Sequence, residues 1–124
     1  MLGEKMKNLV LLVLVCLSPM CVSCQTEQAF KSVDVAEFEK VIADTSYVLL
    51  DVRTATEYAE GHIPGTHFNI DVLQESFESE ALRVLRRKKK VALYCRSGNR
   101  SKNAARILSE KGLQVVELST GFKG

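Results

Sequence analysis

Most of the residues that could carry out chemistry lie in one short segment, Cys95-Arg96-Ser97-Gly98-Asn99-Arg100-Ser101. It follows the apolar run 91–94, which is typical of a buried strand. A chain that leaves a buried strand, turns through small polar residues and enters a helix directs backbone N–H groups toward one point, which favours an anion. We therefore expect these N–H groups, with Arg96 and Arg100, to stabilise the Cys95 thiolate and lower its pKa below the free value of about 8.5.

Cys95 is the only cysteine after the first 24 residues, which hold the other three. A lone cysteine in an oxidising compartment has no internal disulfide partner, so it is either buried and inert or kept for its reactivity. Its arginine-flanked loop favours a reactive nucleophile. His62 and His67 with one cysteine make a poor zinc site, so we expect neither a metal nor a cofactor. We expect His62 to pack in a turn and His67 to lie at the surface.

Residues 1–24 have the composition of an export signal. Lys5 and Lys7 precede the apolar run 9–17, which is shorter than the roughly 20 residues that span a bilayer. The segment ends in Cys21-Val22-Ser23-Cys24, which resembles a bacterial lipoprotein box with Cys24 as the lipidated residue. Cleavage without lipidation and an uncleaved anchor are the alternatives.

These patterns predict a signal peptide over 1–24, a linker over 25–29 and one domain over 30–124. We expect an exported monomer in the periplasm or cell envelope, held at the membrane only by its lipid. The formal net charge of +2 is far from the strongly basic balance of nucleic-acid-binding proteins, so we expect no nucleic-acid partner.

The elements that must position the cysteine loop alternate between strands and helices. Apolar runs predict strands over 30–33, 47–52, 67–70, 91–94 and 115–118. Helical spacing and capping residues predict helices after Asp34, from Thr54 to Gly61, over 74–87 and over 103–111. This order indicates the α/β class, with right-handed crossovers, a largely parallel sheet and helices on both faces.

Two of the predicted strands end in polar clusters. Asp51 and Arg53 end one strand, and the cysteine loop follows another. Because chemistry in such sheets lies outside the carboxyl ends of the strands, we expect the two clusters to meet. The basic run 86–90 fits a solvated helix end, or weak steering of anionic substrates.

Two motifs, one after the other along the chain, resemble the signatures of the rhodanese domain family. Leu50-Asp51-Val52-Arg53 with Glu57-Tyr58 and then Glu60-Gly61-His62-Ile63-Pro64-Gly65 is similar to the N-terminal signature. Tyr94-Cys95-Arg96-Ser97-Gly98-Asn99-Arg100-Ser101 resembles the active-site loop. The resemblance covers 30–124 and implies a central sheet of about five strands and sulfur transfer through a cysteine persulfide.

The resemblance also implies roles for the matching residues. The Cys95 thiolate would attack the sulfane sulfur of a small anionic donor such as thiosulfate, and cyanide or a thiol, including a protein thiol, would then remove it. Asp51 and Arg53 would brace the loop. Arg96 and Arg100 would orient the donor, and the substrate-binding loop as a whole would comprise Arg96, Ser97, Gly98, Asn99, Arg100 and Ser101.

Two alternative functions remain open on the sequence. The first is a cysteine phosphatase or arsenate reductase, whose loop places the arginine one position further from the cysteine, where this chain has Ser101. The second is a persulfide carrier or interaction module with little turnover. The chain also departs from the family pattern at 119–124. Thr120 replaces a glycine, and many relatives continue into a tryptophan and a closing helix, so we expect part of one sheet face to be less covered.

Overall fold

Five strands and four helices alternate along the part of the chain that the computed structural model describes, residues 29–123. The strands are β1 (Lys31–Val33), β2 (Tyr47–Asp51), β3 (Phe68–Asn69), β4 (Lys90–Tyr94) and β5 (Gln114–Leu118). The helices are α1 (Val35–Ala43), α2 (Ala55–Glu60), α3 (Phe77–Leu85) and α4 (Asn99–Glu110). The predicted signal peptide, with Cys24, lies outside the described residues.

All of these strands pair in parallel, in the order β1-β5-β4-β2-β3. The predicted α/β fold with a parallel sheet of five strands is therefore confirmed. Strand β4 is central, and Asp51 at the end of β2 lies in register with Tyr94 at the end of β4. The register thus brings the two predicted polar clusters to one edge of the sheet.

The two faces of the sheet bury separate apolar clusters. Alternate residues of β2 and β4, such as Leu50 and Leu93, pack under α3 and α4 together with the Cys95 side chain. The residues between them, such as Leu49 and Tyr94, pack on the other face with Phe38 of α1. Burial on both faces explains the continuous apolar runs from which the strands were predicted.

Side-chain caps fix where two of the helices begin. The Asp34 carboxylate accepts the Glu37 backbone N–H at 2.9 Å, which caps α1. At α2, Thr54 and Glu57 form both halves of a capping box. Both caps satisfy N–H groups that the first turn of a helix leaves unpaired.

Two helix boundaries differ from the predictions. Helix α3 is shorter at both ends: the residues before Phe77 form turns, and Arg86 has φ 32°, outside the helical region. Helix α4 begins four residues earlier than predicted, at Asn99. Gly98 precedes the helix with φ 100°. Because α4 begins at Asn99, Arg100 and Ser101 belong to its first turn rather than to a loop.

An apolar groove of about 320 Å³ lies on the α1 face, between α1 and the C-terminal turn. It is lined by Val35, Phe38, Glu39, Ile42, Ile63, Pro64, Leu118, Gly121 and Phe122. Within residues 29–123, none of the helices has the length and apolar character needed to cross a bilayer.

Candidate active site

Cys95 leaves the central strand at the carboxyl edge of the sheet and is fully buried. Its Sγ accepts the Gly98 backbone N–H at 3.0 Å. Burial opposes ionisation of the thiol, but the hydroxyl and N–H of Ser101 and the N–H groups of Gly98 and Ser97 outweigh it. Together they hold the pKa of Cys95 below its usual value, the direction expected for a nucleophile.

The turn formed by residues 119–123 packs directly on the backbone of the cysteine loop. The Phe122 N–H donates to the Cys95 carbonyl at 2.7 Å. A Cβ on Gly98 would lie 2.1 Å from the Ser119 oxygen, and one on Gly121 would lie 2.2 Å from the Arg96 oxygen. Glycine is therefore required at both positions by close backbone approach as well as by positive φ.

Asp51 and Arg53 form a buried ion pair next to the loop. Arg53 Nη2 lies 2.6 Å from Asp51 Oδ2 and donates to the Gly61 carbonyl at 2.7 Å. The guanidinium lies 4.6 Å from the centroid of the Phe122 ring. The pair thus links the end of β2 to the C-terminal turn that packs on the cysteine loop.

Arg100 does not point freely toward a substrate, in contrast to the role expected for it. Its two terminal nitrogens donate to the two Glu57 carboxylate oxygens at 2.7 and 3.0 Å. These hydrogen bonds lower the pKa of Glu57 to about 2, against the opposing effect of burial. Because a bidentate pair fixes both groups, the structure assigns Arg100 to bracing α2 against α4.

Ser101 also differs from its expected place in a substrate-binding loop. Its side chain is fully buried beneath the loop, and its Oγ lies 3.5 Å from Cys95 Sγ and 2.6 Å from Glu117 Oε1. Glu117, which is buried in β5, was not among the predicted site residues. The available signal was a single charged residue within the apolar run of a predicted buried strand.

Arg96, Ser97 and Asn99 are exposed around the turn. Arg96 lines a pocket of about 250 Å³ at this edge of the sheet, together with Arg53, Glu57, Glu60, Gly61, Phe122 and Lys123. Arg96 and Lys123 are exposed cations there and form no ion pair among residues 29–123. An anion entering this pocket would therefore meet these two positive charges and one carboxylate that is unpaired in the described part of the chain, that of Glu60, a balance of one positive charge.

The two histidines lie outside this arrangement. His62 stacks on Tyr58 with ring centroids 3.8 Å apart, and the exposed His67 accepts the Leu49 N–H at 2.9 Å. Both places agree with the structural roles expected for them. Within residues 29–123, no three His, Cys, Asp or Glu side chains are grouped so that they could hold a metal ion.

Comparison with known proteins agrees with this geometry. The family described as "Rhodanese-like domain" matches residues 34–124. The chain belongs to the rhodanese family. The Bacillus subtilis (strain 168) protein YtwF, named as a candidate sulfurtransferase, is 37% identical over 85 residues, which cover 68% of this chain and 78% of that protein.

A second relative and a solved structure extend this assignment. The thiosulfate sulfurtransferase PspE of Escherichia coli (strain K12) is 38% identical over 74 residues, covering 60% of this chain and 69% of that one. The crystal structure of a rhodanese-related protein from Thermoplasma volcanium has 34% identity and a TM-score of 0.63, and it covers 76% of this chain and 88% of its own. The named relatives support a sulfurtransferase role in general.

Proposed function

We propose that this rhodanese-family protein transfers sulfane sulfur from a small anionic donor such as thiosulfate to a thiophilic acceptor, through a persulfide on Cys95. The observation that carries the proposal is the position of Cys95: its sulfur accepts a backbone N–H from a tight turn, beside a pocket lined by the unpaired cations Arg96 and Lys123. A low thiol pKa and an anion-attracting pocket suit a nucleophile that must meet an anionic substrate.

The proposed reaction has two balanced steps. The Cys95 thiolate attacks the outer sulfur of thiosulfate, the S–S bond of the donor breaks, and sulfite leaves with the electron pair. The terminal sulfur of the resulting persulfide is then attacked by cyanide or a thiolate, and Cys95 leaves as the thiolate. No net oxidation of the protein occurs over the cycle, so no cofactor is needed.

The geometry gives less support to a phosphatase or arsenate reductase. Such chemistry needs a guanidinium free to bind the oxygens of a tetrahedral oxyanion. Here Arg100 is held by Glu57 at 2.7 and 3.0 Å, and the next position is the buried Ser101. The loop offers a sulfur nucleophile and N–H groups, which suits transfer of a single sulfur atom.

The deciding experiment measures thiocyanate formation from thiosulfate and cyanide by wild type and Cys95→Ser in parallel. We expect turnover for wild type and none for the variant, with no hydrolysis of an aryl phosphate by either. Mass spectrometry after thiosulfate treatment should show one added sulfur atom on wild type only. An adduct without thiocyanate would indicate a persulfide carrier, and the absence of any adduct would refute both functions.

We further propose that the protein is exported to the periplasm or cell envelope and anchored through lipid on Cys24. The support is the sequence of residues 1–24 described above. Metabolic labelling with a radioactive fatty acid should mark the wild-type chain and not Cys24→Ala. Labelling of neither protein, with the mature chain recovered in the soluble fraction, would favour simple cleavage.

A further inference from the structure

The buried carboxylate of Glu117 is connected to the nucleophile through Ser101, whose hydroxyl oxygen lies 3.5 Å from Cys95 Sγ. Its Oε1 accepts from the Ser101 hydroxyl at 2.6 Å, and its Oε2 accepts from the Ser32 hydroxyl and lies 3.5 Å from Lys102 Nζ. The Glu117 side chain is fully buried, and a charge in such a place needs partners of this kind. The persulfide chemistry proposed above does not use Glu117, so its position needs its own explanation.

The Ser101 hydroxyl has more acceptors around it than it can serve. It has one proton, while Glu117 Oε1, the Gly98 carbonyl and Cys95 Sγ lie 2.6, 3.0 and 3.5 Å from its oxygen. A short hydrogen bond to a carboxylate is the strongest of the three. The Ser101 proton therefore points to Glu117, and its lone pairs face Cys95.

This orientation has opposite effects on the two forms of Cys95. A neutral thiol can donate its S–H to the Ser101 oxygen, so the thiol form is satisfied. A thiolate keeps the Gly98 N–H as a donor at 3.0 Å, but at the Ser101 oxygen it meets lone pairs unless the hydroxyl turns away from Glu117. Of the groups that lower the Cys95 pKa, the Ser101 hydroxyl thus contributes fully only when it turns from Glu117 to the sulfur, whereas the backbone N–H groups contribute in either orientation.

We propose that Glu117 is a positioning residue that directs the Ser101 proton away from the Cys95 sulfur and so makes the thiolate less favourable than it is when the hydroxyl turns toward the sulfur. The proposal rests on Cys95 being the nucleophile of the proposed function. In this arrangement, the Ser101 hydroxyl rotates and donates either to the Glu117 carboxylate or to the Cys95 thiolate. The single proton of Ser101 thus couples ionisation of Cys95 to Glu117.

Other charged groups around the pair come from the helices packed against it. Arg100 of α4 favours the thiolate, but its charge is largely matched by Glu57 of α2. Lys102 of α4 faces Glu117 and stabilises the carboxylate. Strand β1 contributes the neutral Ser32 hydroxyl. None of these groups can replace the hydrogen bond that Ser101 withholds from the sulfur.

The test is the pH midpoint of thiolate formation, followed by the ultraviolet absorbance of the thiolate as a difference against the matching Cys95→Ser protein. In Glu117→Gln, the amide can donate to the Ser101 oxygen and free its proton for the sulfur. We expect the midpoint to fall by about one pH unit or more, which is about a tenfold rise in thiolate fraction below the midpoint. An unchanged or raised midpoint would overturn the proposal.

Two further comparisons separate orientation from simple charge. In the Ser101→Ala background, Glu117→Gln should shift the midpoint much less, because the intermediary is gone. An equal shift with and without Ser101 would show that Glu117 acts by its charge alone and would refute the positioning role. Ser32→Ala removes the other hydroxyl on Glu117 and leaves Ser101 in place, so its midpoint should not fall.

A second variant keeps the proposal testable if Glu117→Gln does not fold. Glu117→Asp retains the charge but withdraws the carboxylate from Ser101 by one methylene, so its midpoint should also fall; an unchanged midpoint would contradict the proposal. All of these measurements are made without donor or acceptor. Failure of sulfur transfer would therefore be seen separately, in the thiocyanate assay, and would leave the midpoint shifts unaffected.

Discussion

Arg53 holds a buried negative charge and an aromatic ring in place at the same time. It pairs with Asp51 at 2.6 Å, with side-chain exposures of 5% and 0%, and its guanidinium lies over Phe122. Removing one partner of a buried ion pair leaves the other charge uncompensated. Loss of Arg53 is thus expected to affect the stability of the fold more directly than catalysis.

We therefore predict that Arg53→Met lowers the free energy of unfolding by about 3–5 kcal/mol. Urea denaturation followed by circular dichroism at pH 7 measures this value. Lys40→Met is the matched control, because it breaks an exposed pair with Glu37 at 3.9 Å and should cost less than about 1 kcal/mol. Equal losses in the two variants would contradict a buried structural role for Arg53.

The pair between Glu57 and Arg100 makes a pH-dependent contribution to stability. The folded pKa of Glu57 is about 2, below its ordinary value of 4.5. A depressed carboxyl pKa stabilises the folded state above the unfolded value, and this stabilisation is lost as the pH falls from about 4.5 to about 2.

We predict that Glu57→Gln lowers the melting temperature by several degrees at pH 7, since about 1 kcal/mol shifts a domain of this size by roughly 4–8 °C. The difference from wild type should shrink as the pH falls toward 2, because the pair is lost there in both proteins. Calorimetry across this range measures it. Glu60→Gln, an exposed change on the same helix, should leave the curve unchanged, and a constant difference at every pH would refute the assignment.

At the scale of elements, the contact between the cysteine loop and the C-terminal turn leaves no room for a methyl group. Gly98 has φ 100°, and a Cβ there would lie 2.1 Å from the Ser119 oxygen. Gly112 has a similar φ of 88° with nothing within 4 Å of such a Cβ. The two glycines therefore separate the cost of positive φ from the cost of close packing.

We predict that Gly98→Ala destabilises the protein by more than about 3 kcal/mol and abolishes sulfur transfer, because the loop and turn must separate. Gly112→Ala should cost about 1–2 kcal/mol, the strain of the backbone alone, and retain activity. Thermal denaturation and the thiocyanate assay measure both effects. A Gly98→Ala protein as stable and as active as Gly112→Ala would show that the turn does not support the loop.

Local signals predicted most of the elements because those signals are strong here. The run 47–52 is apolar since β2 is buried on both faces, and the capping box of Thr54 and Glu57 is complete. The start of α4 was misplaced because a polar segment after Gly98 has no apolar periodicity to mark its first turn. The Cys95 loop could be predicted from its own residues and from its position after a strand.

The connections within the site could not be predicted in the same way, because they join distant residues. Glu57 reaches Arg100 across 43 positions, and Ser101 reaches Glu117 across 16. Nothing in the local pattern shows that Arg100 is occupied or that Ser101 faces inward. Such pairings depend on which elements the sheet order places side by side.

At the scale of the whole molecule, a fully parallel sheet separates its two edges. Residue 31 begins β1 at the amino edge, whereas Cys95 follows β4 at the carboxyl edge. A strand of five residues spans roughly 17 Å. The basic run 86–90, which ends at the first residue of β4, also lies at the amino edge, away from the pocket.

This separation sets the direction in which an anchored protein would face. If Cys24 is lipidated as proposed, the tether would enter the domain before β1, at the amino edge, and we expect the opening beside Cys95 to face the aqueous compartment. Small dissolved donors and soluble thiols can then approach freely, while a thiol embedded in the lipid is on the wrong side of the molecule. In proteoliposomes, we expect turnover with a soluble acceptor to equal that of the untethered Cys24→Ala protein; a large loss on anchoring would contradict this orientation.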